Sequence, residues 1–517
     1  MAFHRTDRHC SLVAAFLALA AAGELRAQAH EQSSLICPYV SDSNYWSAAF
    51  AIDGDLMVVG APNDSSYYPI GGHGAATVHQ RDPVTGAWTY HQKLFASDYA
   101  SFEAFGGTVA VEGDRLAIAA PRNAVNNLGD AGSVYLLERD AITGLFVEVQ
   151  KLDSIAPVAG EGFGFGLSLK GDLLLVGCPG AGNGSVQVFR RDAITGLFAF
   201  EAQLIDSNGS SAAFFGRTID FDGTTALIGA PRGIAGATSF AGTVELFSVS
   251  GTTWTQGQQL SSNAPQVNGN FGGALALDGD RIAVGAASEA VGASSLVGRA
   301  YVFVKDPITG LFGLEQRLDS PTLAYNSGFG TAVDMTGGLL VVGAPNEVTG
   351  GGHIGSAWTW RLGKKSNGPW HLESELQAGP SIAEENYGCG VRVAGSQLVV
   401  ASQWANTNSG RDTGALFFYD AAEFTLTITP TQPAAGAPID LEAHRGAAGS
   451  PILIAVEAID GVPVFVPILT DVFASDLSWS LPIDAPDPLF GSTVSVRAWK
   501  IGAGGPLVGS QLVDLEL

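Results

Sequence analysis

Apolar and polar positions along this chain fall into short runs that recur about every 58 residues. Each copy carries an aromatic-Gly pair, then a Gly-Asp type of turn, then an apolar run ending in Gly-Ala-Pro or a relative. The pairs stand at Phe105-Gly106, Phe163-Gly164, Phe215-Gly216, Phe271-Gly272 and Phe329-Gly330, with degenerate versions at Trp46-Ser47 and Tyr387-Gly388. Spacings of 59, 58, 52, 56, 58 and 58 residues define seven copies, a period typical of arrays and propellers.

The second copy serves as template. Gly107 to Val111 alternates as a strand, Gly113-Asp114 turns, and Arg115 to Ala119 forms a second strand that Pro121 ends. After a polar loop, Gly132 to Glu138 makes a third strand, Asp140 to Gly144 a turn, and Phe146 to Leu152 a fourth. The second strand recurs as near-continuous apolar runs such as Leu173 to Gly177, the pattern of strands covered on both faces. Four antiparallel strands in each of seven copies predict an all-β fold, a seven-bladed β-propeller. The seventh copy ends near Asp420 with three strands, whereas His30 to Leu35 resembles the fourth strands of other copies. The N-terminus is therefore expected to complete the seventh blade and remove an open sheet edge. A linker is expected over 421–438, then a small β-sandwich-like domain over 439–517 or an irregular β extension packed on the propeller.

Composition and the ends add a compartment. Arg5 and Arg8 precede the apolar segment Ser11 to Gly23, too short for a comfortable span, and small residues allow cleavage after Ala29 or Ala27. Residues 1–29 thus read as a signal peptide, and 30–420 as the propeller. No later segment approaches a membrane span, so a secreted or cell-surface location and a monomer are expected. The formal net charge of −24 disfavours nucleic acid and suits solubility. Cys178 occupies the Ala position of a Gly-Ala-Pro variant and reads as a small buried hydrophobe, and a Cys37–Cys389 disulfide is not expected.

The motifs Phe271-Gly272 with Gly279-Asp280, and Phe329-Gly330 with Gly343-Ala344-Pro345, resemble the FG-GAP repeat of integrin α-subunit propellers and many bacterial surface proteins. The resemblance spans roughly residues 30 to 420. It implies a seven-bladed propeller acting in extracellular adhesion or ligand binding. Calcium-binding members carry a longer acidic loop between the first two strands, because Ca²⁺ needs six to eight oxygen ligands. Here those turns are minimal, as at Asp53-Gly54-Asp55 and Asp278-Gly279-Asp280, and copies six and seven lack the carboxylates. The chain resembles a short-turn branch without calcium, and no metal or other cofactor is expected.

No nucleophile elbow, His-Glu-x-x-His or Cys-x-x-Cys motif is present, and no catalytic, cofactor-binding or metal-binding residue stands out. Gly350 to Gly355 satisfies a GxGxxG spacing but runs into a strand, so a loop is expected there. The histidines lack metal-ligand spacing and read as packed or solvated. Ser248 to Trp254 only faintly matches a sialidase-type hairpin, and the aromatics Trp88, Phe146, Phe198, Trp254, Phe312 and Trp370 read as packing between blades. The expectation is an exported, non-enzymatic binding, adhesion or scaffold protein for an extracellular protein or glycan. Its contacts would come from the loops Asn63 to His73, Arg122 to Asp130, Arg232 to Phe240, Ser288 to Val297, Asn346 to Ile354 and Trp404 to Thr413. The alternative is a hydrolase or lyase of extracellular polysaccharide, which a carboxylate or His cluster in the central channel would favour.

Overall fold

In the computed structural model, the described residues are 28–30, 33–38, 45–65, 72–98, 103–207, 213–348, 354–363, 370–377, 385–406 and 412–420, apart from 48, 293 and 396. Beyond these it describes seven backbone strands between 425 and 516. Most of the expected signal segment, residues 350–353 of the stretch Gly350 to Gly355, and parts of four candidate loops lie outside the described residues. The chain divides into two compact units. One comprises Glu31–His371 and Ala378–Ala421; the other comprises Met1–His30, Leu372–Gln377 and Ala422–Leu517.

The larger unit is all-β. In the second copy the strands Thr108–Glu112, Arg115–Ala120, Ser133–Arg139 and Phe146–Asp153 hydrogen-bond in chain order into one antiparallel sheet. Copies one, three, four and five build the same four-stranded sheet. The turns follow the local chemistry. At Asp140–Gly144 the Asp140 carboxylate accepts from the backbone N–H of Ile142 and Thr143, and Gly144 sits at φ 72°.

The seventh copy pairs Glu385–Ala394 with Gln397–Ser402 and that strand with Ala415–Asp420. Its fourth neighbour is Ser33–Ile36, antiparallel to Ala415–Asp420 with Ser33 opposite Phe418 and Ile36 opposite Ala415. The free edge of the third strand is thereby occupied by the N-terminal segment. The buried clusters lie between consecutive copies. One joins Val58, Ala76 and Val78 of copy one to Phe105, Ile118 and Tyr135 of copy two. Another joins Val399, Ala401 and Phe418 of copy seven to Phe50, Met57 and Val59 of copy one. Second strands such as Leu173–Cys178 are buried at every residue because both faces are covered.

The repeat motif has a steric reason. A Cβ built on Gly60, in the Gly-Ala-Pro of copy one, would lie 1.9 Å from the carbonyl oxygen of Gly106 in copy two. The same approach recurs between Gly177 and Gly216, Gly285 and Gly330, and Gly343 and Gly388. Gly106 also takes φ 86°, open to glycine at little strain. The aromatic beside it packs edge-on to the third strand of its own copy: Phe105 on Tyr135 at 5.3 Å, Phe329 on Trp360 at 5.3 Å.

In the other unit, Thr425–Thr429 pairs with Pro438–His444, which pairs with Ser478–Asp484. A second sheet orders Val462–Val472, Pro451–Ile459, Thr493–Ile501 and Leu507–Glu516. Thr425–Thr429 lies in the stretch expected to be a linker. Its alternating Thr, Leu and Ile favour a strand once a partner is available.

Candidate functional site

The first strand of each copy starts at or near the aromatic-Gly pair, beside the end of the second strand. Thr108 therefore stands opposite Ala119. The first strands of successive copies touch one another, and that of copy seven touches that of copy one. They enclose a cavity of about 250 Å³ that receives residues from all seven copies, including Phe50, Thr108, Leu167, Arg217, Thr331 and Arg392.

The position three residues before each turn glycine is instructive. Reading round the copies it holds Ala51, Ala110, Ser168, Asp220, Ala276, Asp334 and Arg392. Four copies keep a small or apolar residue as the repeat demands, while copies four, six and seven carry charge. Asp220 Oδ2 accepts from the backbone N–H of Leu277 in copy five at 2.7 Å, and its Oδ1 from Phe221 at 2.9 Å. Asp334 Oδ2 accepts from Val393 N–H in copy seven at 2.6 Å. Burial raises both carboxyls and the nearby Arg392 charge counters it, leaving Asp334 at about 6. The two aspartates thus clasp adjacent copies and lie within electrostatic reach of Arg392.

Arg217 stands at the mouth. Its guanidinium lies 4.4 Å above the Phe165 ring centre. Burial pulls its proton affinity down, and no carboxylate partner offsets that. Arg217 N–H donates to Phe214 O at 3.1 Å, closing a tight turn. Phe214 in turn lies beneath Arg232, 4.8 Å from its guanidinium.

The loops expected to carry ligand contacts leave from this same end, because they follow the second strands. Three of them are not irregular. Val125 and Leu128 exchange backbone hydrogen bonds at 3.1 and 2.9 Å, as do Ala235 with Thr238 and Val291 with Ser294. One small hairpin is repeated in copies two, four and five.

Other sequence candidates resolve into packing. His79 is buried beside Thr77 at 2.9 Å, and burial lowers it to about 4, so it is neutral. Cys178 is fully buried, and Cys178 and Cys389 are free thiols. Among the described residues no group of three His, Cys, Asp or Glu side chains could hold a metal ion. Also among the described residues, no helix is long and apolar enough to cross a membrane. Asp220, Asp334 and Arg392 belong to no shared motif, and their only mark in the sequence is that they differ from the other copies at one repeat position.

Repeated four-stranded antiparallel sheets packed copy on copy define an all-β repeat protein of the propeller type. The FG-GAP repeat family model matches residues 88–137 and 198–244, and the chain is an FG-GAP repeat protein. No curated protein sequence matches the chain. Among solved structures it is similar to a putative 6-phosphogluconolactonase from Bacteroides uniformis, at 13% identity and TM-score 0.45, covering 63% of this chain and 83% of that one. It is also similar to the periplasmic gluconolactonase of Pseudomonas aeruginosa, at 18% identity and TM-score 0.42, with coverages of 64% and 86%. Saccharomyces cerevisiae Sqt1 aligns at 10% identity and TM-score 0.42, with coverages of 89% and 99%. The expectation that the chain is not an enzyme is corrected by these matches. Structures named as lactonases stand among those it is similar to, although likeness at this level assigns no reaction.

Proposed function

We propose that residues 30–420 form a seven-bladed β-propeller, closed by Ser33–Ile36, that binds an extracellular protein or glycan at the mouth of its channel. The observation that carries this reading is the cavity into which all seven copies send residues, with the Arg217 guanidinium at its entrance and no carboxylate beside it. The apolar segment 11–23 after Arg5 and Arg8 supports export to the cell surface or medium. Residues 439–517 form a separate β-sandwich-like module in this reading.

A binding array of glycans and proteins probed with the full mature chain tests it, alongside a Thr331→Trp variant. Thr331 is exposed to the cavity, so an indole there fills the entrance. Ligand binding lost in Thr331→Trp supports the channel; binding that survives unchanged places the site elsewhere.

A second reading, cleavage of extracellular polysaccharide, is favoured by Asp220 and Asp334, which hold the same repeat position in copies four and six and both lie within electrostatic reach of Arg392, with Asp334 held at about 6. It requires that Asp334→Asn abolish turnover of a bound glycan while leaving its affinity in place.

A further inference from the structure

The charges of the channel do not balance locally. Arg392 lies within electrostatic reach of both Asp220 and Asp334, and each of these carboxylates also accepts a backbone N–H. Arg217 has no such company: among the described residues its side chain makes no ion pair and no hydrogen bond. Its contact is the face of Phe165. A guanidinium held over a ring keeps its five N–H donors available in a fork that matches an oxyanion. Elsewhere in the unit, more deeply buried arginines are paired: Arg281 with Glu315 at 2.9 Å, and Arg299 with Glu289 and Asp319 at 3.1 and 2.8 Å.

The neighbouring hydroxyls do not substitute for an anion. Thr218 Oγ1 donates to Gly272 O at 2.7 Å and Thr331 Oγ1 to Gly328 O at 2.7 Å, so both donors are committed to backbone. The entrance therefore offers the unpaired fork of Arg217, an aromatic floor and apolar walls from Ile219, Leu275 and Val333, with Arg392 lining the same cavity. Arg232, stacked on Phe214 and without a carboxylate, adds positive charge from the same copy.

We propose that the channel mouth binds a small organic oxyanion, a carboxylate or a sulfate or phosphate ester, with Arg217 as its forked partner. This rests on the channel reading above and names the chemistry of its ligand. The aromatic and apolar lining accepts the organic part, and the guanidinium selects the charge.

Calorimetric titration of the full mature chain with glucuronate, glucose, inorganic sulfate and inorganic phosphate tests the assignment. Glucuronate is expected to bind at least tenfold more tightly than glucose, and sulfate or phosphate to compete with it. Arg217→Met is expected to weaken glucuronate at least tenfold, and Arg217→Lys to recover part of that loss. Glucose binding as tightly as glucuronate, or no anion binding at all, overturns the inference, and neither result depends on a variant folding. Retention of glucuronate affinity within twofold in Arg217→Met overturns it as well. An array ligand that is neutral, yet lost in Thr331→Trp, leaves the channel reading standing while the oxyanion falls. An array ligand unaffected by Thr331→Trp removes the channel reading itself.

Discussion

Gln92 of the first copy and Phe146 of the second are joined in both directions: Gln92 Nε2 donates to Phe146 O at 2.9 Å, and Phe146 N–H donates to Gln92 Oε1 at 2.8 Å. One side-chain amide thus completes the outer edge of the next copy's fourth strand. The same clasp links Gln150 to Phe198 and Gln258 to Phe312, and Gln316 to Trp370. Where the glutamine is replaced by Ala202, in copy three, Glu201 instead accepts from the Trp254 indole at 3.0 Å. The recurrent aromatic after the turn is therefore held at its backbone as well as packed.

Gln258→Ala removes two hydrogen bonds and leaves the backbone of Phe312 without its partners. The expected loss is about 1–2 kcal/mol, read as a lower midpoint in denaturant unfolding with an unchanged slope. Ala202→Gln is expected to be neutral or slightly stabilising by the same measurement.

Gly60→Ala places a methyl group against the Gly106 carbonyl, 1.9 Å away before relaxation. Backbone on both sides must shift, so a loss of about 2–4 kcal/mol is expected, within the range for overpacked or strained sites. Thermal unfolding checks it, with Gly54→Ala as comparison. Gly54 has open space around it, and its φ of 57° alone predicts a smaller loss.

Asp334 gives a pH dependence whose sign is definite. Its carboxyl stands at about 6 in the folded chain, above its ordinary value of 3.8, chiefly through burial. A raised folded value means stability is complete below the unfolded value and declines as pH rises from about 4 through 6. The difference corresponds to at most ~3 kcal/mol. Asp334→Asn, which retains an acceptor for Val393 N–H, is expected to flatten the stability profile over this window.

The turn aspartates act in the opposite direction. Asp82, Asp140, Asp192 and Asp306 are each held below the ordinary carboxyl value, first by the backbone N–H of Thr85, Thr143, Thr195 and Thr309 respectively. A depressed folded value contributes stability above the unfolded value, lost as pH falls through the folded one. Asp140→Asn keeps a side-chain acceptor but does not titrate over this range. Its acid-unfolding curve is therefore expected to lose part of its steepness below pH ~4 relative to the parent chain.

The aromatic-Gly pairs, the Gly-Asp turns and the second strands were legible in the chain because each depends on neighbours within one copy. A glycine needed at positive φ, or a valine run between two covering layers, leaves its mark locally and seven times over. The N-terminal strand was legible for a related reason: His30 to Leu35 matches other fourth strands, and a third strand without a neighbour leaves its hydrogen-bonding edge open. The strand Thr425–Thr429 was hidden because its short alternation is stabilised by pairing with Pro438–His444 rather than by any local signal.

By itself, then, the sequence determined the repeating four-strand unit, its turns and the partner of its last strand, since short-range sterics and periodic burial suffice for these. Only the tertiary structure decided that Arg392 of copy seven comes within electrostatic reach of Asp220 and Asp334 in copies four and six, and that Arg217 meets Phe165 without a carboxylate. Residues so distant in the chain become neighbours through the packing of successive copies, and burial sets the proton affinity of their charges only after that packing exists.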